Sequence, residues 1–170
     1  SLDDYVEKAI MTKTEKDIIS DAIKQHKNIL VAGGTGSGKT TLTNAIIQEI
    51  TTLFEEQRIL IIEDTNELQC AARNAVILTS TLHRTPQMLL RLILRYRPDR
   101  ILFGEVRGGE SLELLKAWNT GHPGGVCTLH ANSAYAALSR LERCIAEVTT
   151  ASMKELIGEF TDLTTEAHGL

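Results

Sequence analysis

The chain has 170 residues, a net charge of −4, 42% hydrophobic residues and only 4% aromatic residues. This length fits one domain whose core must be filled by Leu, Ile, Val and Ala. The acidic balance argues against a protein that holds nucleic acid mainly by neutralising its phosphates, because such a protein needs a basic face. No apolar run approaches the roughly 18 residues of a membrane span, so we expect no transmembrane segment.

Strand-like apolar runs alternate along the chain with segments of helical periodicity. The predicted strands cover residues 28–32, 58–62, 75–78, 100–103 and 126–129. The predicted helices cover residues 14–26, 40–50, 89–95, 111–118 and 134–148. Thr14 and Asp17 are the expected capping pair of the first helix. Near-continuous apolar strands suit a sheet covered on both faces, so the alternation predicts an α/β fold with a mostly parallel central sheet in a single domain, residues 1–170.

Residues 33–40 form a glycine-rich loop, GGTGSGKT, which matches the pattern G-x-x-x-x-G-K-[ST] in full. The loop follows a predicted strand and precedes a predicted helix, as a phosphate-binding loop must. Glycines let successive backbone N–H groups point at phosphate oxygens, and the following helix directs its positive end at the same charge. A chance match of these positions is expected in about one chain in a hundred or fewer.

The loop predicts a site for a nucleoside triphosphate with Mg²⁺. Lys39 supplies an ammonium group for the β- and γ-phosphates, and Thr40 offers its hydroxyl to the metal. The dinucleotide pattern G-x-G-x-x-G does not occur in the loop, which disfavours NAD. The predicted nucleotide-binding residues are Gly34, Thr35, Gly36, Ser37, Gly38, Lys39, Thr40 and Thr41.

Two acidic clusters directly follow predicted strands. Residues 63–67 have the sequence EDTNE, and residues 104–107 have the sequence GEVR. Because the carboxyl ends of parallel strands present the ligand site, we expect both clusters near the glycine loop, where acids can orient water and a hydrated metal. A solvated, acid-rich loop is the alternative for each cluster taken alone.

A third cluster, GHPGGVCTLHAN, places His122 before the last predicted strand and His130 at its far end. No third ligand stands at metal-binding spacing from them, and a lone histidine is more often a structural hydrogen-bonding residue than a catalyst. Cys127 lies inside the apolar strand, so we expect a core residue rather than a nucleophile. Together with Cys70 and Cys144 it forms no CxxC pair, which argues against a disulfide framework or a zinc clip and favours a reducing cytoplasm.

The order of these segments resembles the secretion-superfamily ATPases. These are hexameric traffic ATPases of type IV secretion and conjugation, with relatives in type II secretion and type IV pili. They carry a P-loop, an acidic box, an atypical Walker B of the form hhhGE(V/M)R and a histidine box ending in TLH(A/T)N. The corresponding segments here are GGTGSGKTT, IIEDTNEL, RPDRILFGEVRGGE and TGHPGGVCTLHANSA. The last two are most similar to the conjugal-transfer (TrbB-type) branch.

The resemblance implies a RecA-like P-loop fold and Mg²⁺-dependent hydrolysis of ATP, which powers conjugative transfer or type IV secretion in a homo-hexamer. It implies that Glu67 polarises the attacking water and that Glu105 binds Mg²⁺ through water beside the hydroxyl of Thr40. It also places His130 near the γ-phosphate. Lys39 completes this predicted catalytic set.

Three arginines are candidates for a charge relay or for a finger that reaches a neighbouring subunit. They are Arg95, Arg97 and Arg107. Exposed arginines on a polar face are the alternative for Arg95 and Arg97.

Two features differ from the family pattern. About thirty residues precede the P-loop strand, too few for the family's N-terminal domain, so we expect the C-terminal ATPase domain alone. Residues 161–170 are too polar for a central strand, whereas the family returns to the sheet with apolar strands. The resemblance further implies inner-membrane secretion or conjugation machinery as the partner, a cytoplasmic position peripheral to that membrane and no direct nucleic-acid partner.

Three alternative functions stay open. A pilus or type II secretion ATPase for assembly or retraction is disfavoured because the CxxC pairs of many assembly relatives are missing from the sequence. A RecA-like nucleic-acid motor is disfavoured by the sequence pI near 5.7. A nucleotide-binding scaffold without turnover is the third alternative.

Overall fold

The computed structural model describes residues 1–150, 157, 161 and 163–167. The helices in this part of the chain are α1 (Leu2–Glu7), α2 (Lys13–Lys24), α3 (Lys39–Leu53), α4 (Pro86–Ile93), α5 (Glu110–Asn119) and α6 (Ala134–Ala146). A short 3₁₀ helix, Leu94–Tyr96, continues α4. The strands are β1 (Ile29–Gly33), β2 (Ile59–Glu63), β3 (Ala75–Thr79), β4 (Arg100–Val106), β5 (Val126–His130) and β6 (Leu163–Glu166).

These six strands form one sheet in the order β3-β2-β4-β5-β1-β6. All pairings between them are parallel. The predicted α/β fold with a mostly parallel sheet is therefore confirmed, and all five predicted strands form within one residue of the expected start. Because the strands run in one direction, their carboxyl ends share one edge of the sheet, where a ligand site is expected.

Helices cover both faces of the sheet. The side chains of β1 alternate between the two faces. Leu30 and Ala32 belong to the apolar cluster that contains α4, α5 and α6, whereas Ile29 and Val31 belong to the cluster that contains α1, α2 and α3. The two apolar clusters on either side of the sheet consist mainly of Leu, Ile, Val and Ala. This arrangement explains why the central strands have no polar alternation.

One prediction about the end of an element is corrected by the structure. The expected capping pair of α2, Thr14 and Asp17, is wrong. Thr12 caps the helix instead: its Oγ1 accepts from the backbone N–H of Glu15 at 3.2 Å, and the Glu15 carboxylate accepts from the N–H of Thr12 at 2.7 Å. The capping-box pattern S/T-x-x-E therefore begins two residues before the predicted pair, and its acid is glutamate rather than aspartate. Helix α1 was not predicted.

The polar C-terminal segment contributes a strand at the edge of the sheet. Leu163–Glu166 pairs with β1 and is only half-buried. Its polar sequence excludes a central position, as predicted, but does not exclude an edge position where one side meets solvent. The remaining residues of the predicted polar stretch, 162 and 168–170, lie outside the described residues.

The buried guanidinium of Arg100 ties elements together at the amino edge of the sheet. It donates to the carbonyl oxygens of Ile23 and Gly124 at 2.9 and 2.8 Å and to Gln57 Oε1 at 2.7 Å. It also lies 4.8 Å from the ring centroid of Phe54. Burial lowers the pKa of Arg100 to about 10, so the group remains charged at neutral pH. This anchor is structural, because it lies at the edge opposite the glycine loop.

Within the described part of the chain, every helix is too short or too polar to cross a membrane.

Candidate functional site

An open cleft of about 440 Å³ lies at the carboxyl ends of the central strands. It is bordered by the glycine loop after β1, the acidic segment after β2, the end of β4 and the end of β5. The predicted residues that line it are Thr35, Gly36, Lys39, Thr40, Glu67, Glu105, Arg107 and His130. Four chain segments far apart in sequence thus meet in one place, as the parallel topology requires.

The glycine loop has a geometry that side chains would disturb. Gly36 and Gly38 have φ angles of +74° and +86°, in the left-handed region that glycine tolerates best. A Cβ atom at Gly33 would lie 2.2 Å from Ser37 Oγ, a distance at which atoms overlap. Helix α3 begins directly after Gly38, so its free N–H groups and positive end face the loop. The loop therefore fits an anion such as a phosphate chain.

Lys39 and Thr40 stand at the start of α3 with their polar groups at the cleft. The Lys39 ammonium donates to the carbonyl oxygen of Gly34 at 2.8 Å. The Thr40 hydroxyl donates to Glu67 Oε2 at 3.2 Å, and the other oxygen of Glu67 accepts from the hydroxyl of Thr65 at 3.0 Å. The structure thus brings the proposed metal-binding hydroxyl and the proposed water-polarising carboxylate into contact.

Arg107 links the two acidic clusters. Its Nη2 lies 2.6 Å from Glu105 Oε2, and its Nη1 lies 3.1 Å from Asp64 Oδ2. The hydrogen bonds that Arg107 donates to Glu105 are the main reason why the pKa of Arg107 is raised above its ordinary value. Because the Arg107 side chain is 63% exposed, these ion pairs are solvent-screened and can exchange for other partners.

His130 ends β5 beside the glycine loop, with its Cα paired in register with Gly33. It is half-buried and faces the cleft. His122 instead lies at the opposite edge of the sheet, where its Nδ1 is 2.7 Å from the carbonyl oxygen of Pro98. The two histidines of the cluster therefore have separate surroundings, and only His130 borders the cleft.

Arg95 and Arg97 do not border this cleft. They precede the first residue of β4, whereas Glu105 and Arg107 stand at its far end. From the first to the last of its seven residues, β4 spans about 20 Å at a rise of roughly 3.3 Å per step. Both arginines therefore lie at the edge of the sheet opposite the cleft of their own chain. Thr41 of the predicted loop set lines a neighbouring groove beside α1 and α3.

Among the side chains near the cleft that had no predicted role of their own, two bond the main chain beside Glu67. The first is Glu63, the last residue of β2, which is only 3% exposed. The second is Asn44, one turn into α3, which bonds to the segment after Glu67. Glu63 belonged to the predicted acidic cluster, so its position after an apolar strand was a usable signal. Asn44 belongs to no motif, and only the tertiary contact reveals it.

A bound Mg²⁺ would need ligands from the nucleotide as well as from the protein. Among the described residues, no group of three His, Cys, Asp or Glu side chains could hold a metal ion. One hydroxyl, nearby carboxylates and a loop open to phosphates fit Mg²⁺, which keeps several waters and is commonly held by one or two protein groups plus phosphate oxygens. The donor set of Thr40, Glu67 and Glu105 is therefore compatible with Mg²⁺ but not with a metal bound by protein alone.

The fold and the cleft define an α/β protein of the P-loop type. The family described as "Type II/IV secretion system protein" matches residues 2–157, and the chain belongs to this family. The chain is 54% identical to the conjugal transfer protein TrbB of Rhizobium radiobacter over 162 residues, which are 95% of this chain and 50% of TrbB. The predicted resemblance to the conjugal-transfer branch is thus confirmed.

Solved structures of secretion and pilus ATPases have the same fold. The VirB11 ATPase of the Brucella suis type IV secretion system, in complex with sulphate, aligns with a TM-score of 0.83 and 28% identity. The alignment covers 98% of this chain and 57% of VirB11. The pilus retraction motor PilT with bound ADP aligns with a TM-score of 0.57 and 30% identity over 77% of this chain and 38% of PilT. The chain spans about half the length of the curated relatives it matches.

Proposed function

We propose that this chain is the nucleotide-hydrolysing part of a conjugative or type IV secretion motor that uses Mg²⁺ and ATP. The observation that supports this most directly is the cleft in which Lys39 and Thr40 of the glycine loop face Glu67 and Glu105. The names of the relatives add the biological setting, since TrbB is a conjugal transfer protein and VirB11 is a type IV secretion ATPase. PilT holds ADP on the same fold.

Phosphate binding follows from the glycine loop. Backbone N–H groups of residues 34–41 and the start of α3 supply donors and positive potential for the phosphate chain. The Lys39 side chain is long, and among the described residues its ammonium bonds to the carbonyl oxygen of Gly34, a partner that it can exchange for phosphate oxygens. Mg²⁺, when bound by Thr40 and indirectly by Glu105, would neutralise charge that develops on the phosphates.

Water activation is assigned to Glu67. Its carboxylate accepts hydrogen bonds from Thr40 and Thr65, and an ionised carboxylate has further lone pairs that can orient a water molecule. His130, on the neighbouring strand end, is the proposed residue on the γ-phosphate side. Arg107 is the proposed charge relay because it already bridges Glu105 and Asp64.

The test separates nucleotide binding from hydrolysis. Lys39→Ala should abolish ATP turnover and weaken Mg·ATP binding, since the phosphates lose their mobile cation. Glu67→Gln should bind Mg·ATP but turn it over about 100-fold more slowly or worse. Lys116→Ala is the matched control, because Lys116 is exposed on α5 and lies outside the cleft. Normal hydrolysis by Glu67→Gln would remove the assigned base, and wild-type binding without turnover would support the scaffold alternative.

We further propose that the full-length protein works as a homo-hexamer with inner-membrane secretion or conjugation machinery, at the cytoplasmic side of that membrane. The similarity to VirB11 and TrbB supports this setting. The similarity to PilT favours a pilus motor as the second candidate. Complementation of a strain that lacks its conjugal-transfer ATPase distinguishes the two, because a pilus motor would not restore plasmid transfer.

A further inference from the structure

The segment after the acidic cluster is held by side chains on both sides. From β2, Glu63 Oε2 accepts from the backbone N–H groups of Glu67 and Leu68, both at 3.0 Å. From α3, Asn44 Nδ2 donates to the carbonyl oxygen of Glu67 at 3.3 Å, and Asn44 Oδ1 accepts from the N–H of Gln69 at 2.9 Å. Two side chains thus bond four main-chain groups of three consecutive residues.

The surroundings of Glu63 suit a fixed carboxylate. The side chain is 3% exposed, and its second oxygen, Oε1, is buried without a hydrogen-bond partner among the described residues. The backbone of Gly104 packs so closely that a Cβ atom there would lie 2.9 Å from the Cβ of Glu63. A buried carboxylate that bonds two N–H groups forms strong, charge-assisted bonds. Glu63 is therefore poorly placed to move during catalysis, in contrast to Glu67.

Asn44 connects the same segment to the glycine loop. It stands on α3, the helix that begins at the loop with Lys39 and Thr40. A shift of α3 on phosphate binding would therefore act directly on the main chain of Glu67. A displacement of about 1 Å can cost a catalytic group on the order of 100-fold in rate, so bonds that fix this main chain have kinetic consequences.

We propose that Glu63 and Asn44 are positioning residues that clamp residues 67–69 and thereby set the place of the Glu67 carboxylate relative to the nucleotide. Neither residue is a catalytic group, since each acts on the backbone of the segment. The inference rests on the proposed function of Glu67. It specifies that the water-orienting step is coupled to the nucleotide-binding helix through the side chain of Asn44.

Amide hydrogen exchange tests the clamp without any need for activity. In Asn44→Ala, the amide of Gln69 should exchange about tenfold faster or more, because its acceptor is gone. In Glu63→Ala, the amides of Glu67 and Leu68 should also exchange faster. In Glu63→Gln the increase in their exchange rate should be smaller, because the side chain keeps a carbonyl acceptor. Gln48→Ala, an exposed position one turn further along α3, is the matched control. Unchanged exchange in Asn44→Ala and both Glu63 variants would overturn the clamp.

Steady-state kinetics test the coupling to catalysis. Asn44→Ala should lower kcat about tenfold while KM for ATP stays within about twofold, because the phosphate site is intact. Glu63→Gln should retain more of kcat than Glu63→Ala, and should fold even where the alanine variant does not. An increase in KM at constant kcat, or equal loss in Glu63→Gln and Glu63→Ala, would overturn the positioning role. Wild-type protein that never hydrolyses ATP refutes the proposed function instead, and the exchange result stands independently.

Discussion

At the scale of single residues, Cys127 shows how burial determines what a side chain can do. It lies in the middle of β5 with 2% of its surface exposed. Burial raises the pKa of its thiol from an ordinary 9.0 to about 12, because the thiolate cannot be hydrated there. The residue is therefore a small apolar core group, as the apolar sequence around it predicts, and burial disfavours the thiolate that a nucleophile requires.

The shifted pKa of Cys127 predicts a dependence of stability on alkaline pH. In the unfolded chain the thiol loses its proton near pH 9.0, whereas in the folded chain it keeps the proton up to about pH 12. The unfolded state binds fewer protons in this window, so the free energy of unfolding falls as pH rises, by about 1.4 kcal/mol per pH unit from this group.

Urea unfolding of wild type and Cys127→Ala across this pH range measures the effect. At pH 9 the variant has the lower free energy of unfolding because the substitution leaves a cavity. Its free energy of unfolding does not contain the pH-dependent contribution of the thiol. The difference in the free energy of unfolding between wild type and variant should therefore become smaller as pH rises. A difference that stays constant with pH would contradict the assignment.

At the scale of elements, the start of α2 is determined by a reciprocal cap. Thr12 and Glu15 each bond the backbone of the other, and the buried face of α2, with Ile19, Ala22 and Ile23, packs in the cluster beside β1. The cap thus fixes where the helix begins, and the helix covers one face of the strand that leads into the glycine loop. The local sequence offers two capping pairs, Thr12 with Glu15 and Thr14 with Asp17, and the structure has the pair that contains glutamate.

Replacing the cap tests this assignment. Thr12→Ala should lower the free energy of unfolding by about 1 kcal/mol, because the N–H of Glu15 loses its acceptor. Thr14→Ala is the matched control: Thr14 is exposed within the first turn and makes no cap bond, so its effect should stay within about 0.5 kcal/mol. Urea unfolding measures both, and a larger loss in Thr14→Ala would restore the capping pair that the sequence suggested.

At the scale of the whole molecule, the two edges of the sheet have different roles. The carboxyl edge holds the cleft, and the amino edge holds the Arg100 anchor together with His122. Arg95 and Arg97 stand at the amino edge, about 20 Å from the cleft by the length of β4. We therefore expect that these two arginines could contact a nucleotide directly only in the cleft of a neighbouring subunit.

The rate of ATP hydrolysis as a function of protein concentration tests this requirement. If subunits complete each other's sites, the rate per chain should rise with concentration, and Arg97→Ala should reduce mainly that rise. Arg107→Ala should lower the rate at every concentration, because Arg107 borders the cleft of its own chain. A wild-type rate per chain that does not change with concentration would show that each chain works alone.

The sequence by itself determined the alternation of strands and helices, the parallel sheet and the location of the glycine loop, because these follow from local periodicity and from the backbone needs of glycine. It also predicted that the acidic clusters with Glu67 and Glu105 would lie near the glycine loop, since each follows a predicted strand and the ends of parallel strands share one edge. The resemblance to secretion ATPases placed His130 near the same site. Only the tertiary structure decided which other side chains contact these residues.

The clamp by Asn44 and Glu63, the edge position of β6 and the distance of Arg95 and Arg97 from the cleft depend on contacts between segments far apart in the chain. A residue such as Asn44 has no local pattern that marks it, because its partners are main-chain atoms more than twenty residues away. Periodicity is a local property and can be found in the sequence. Contact between distant backbone groups is set by packing, and only the folded chain shows it.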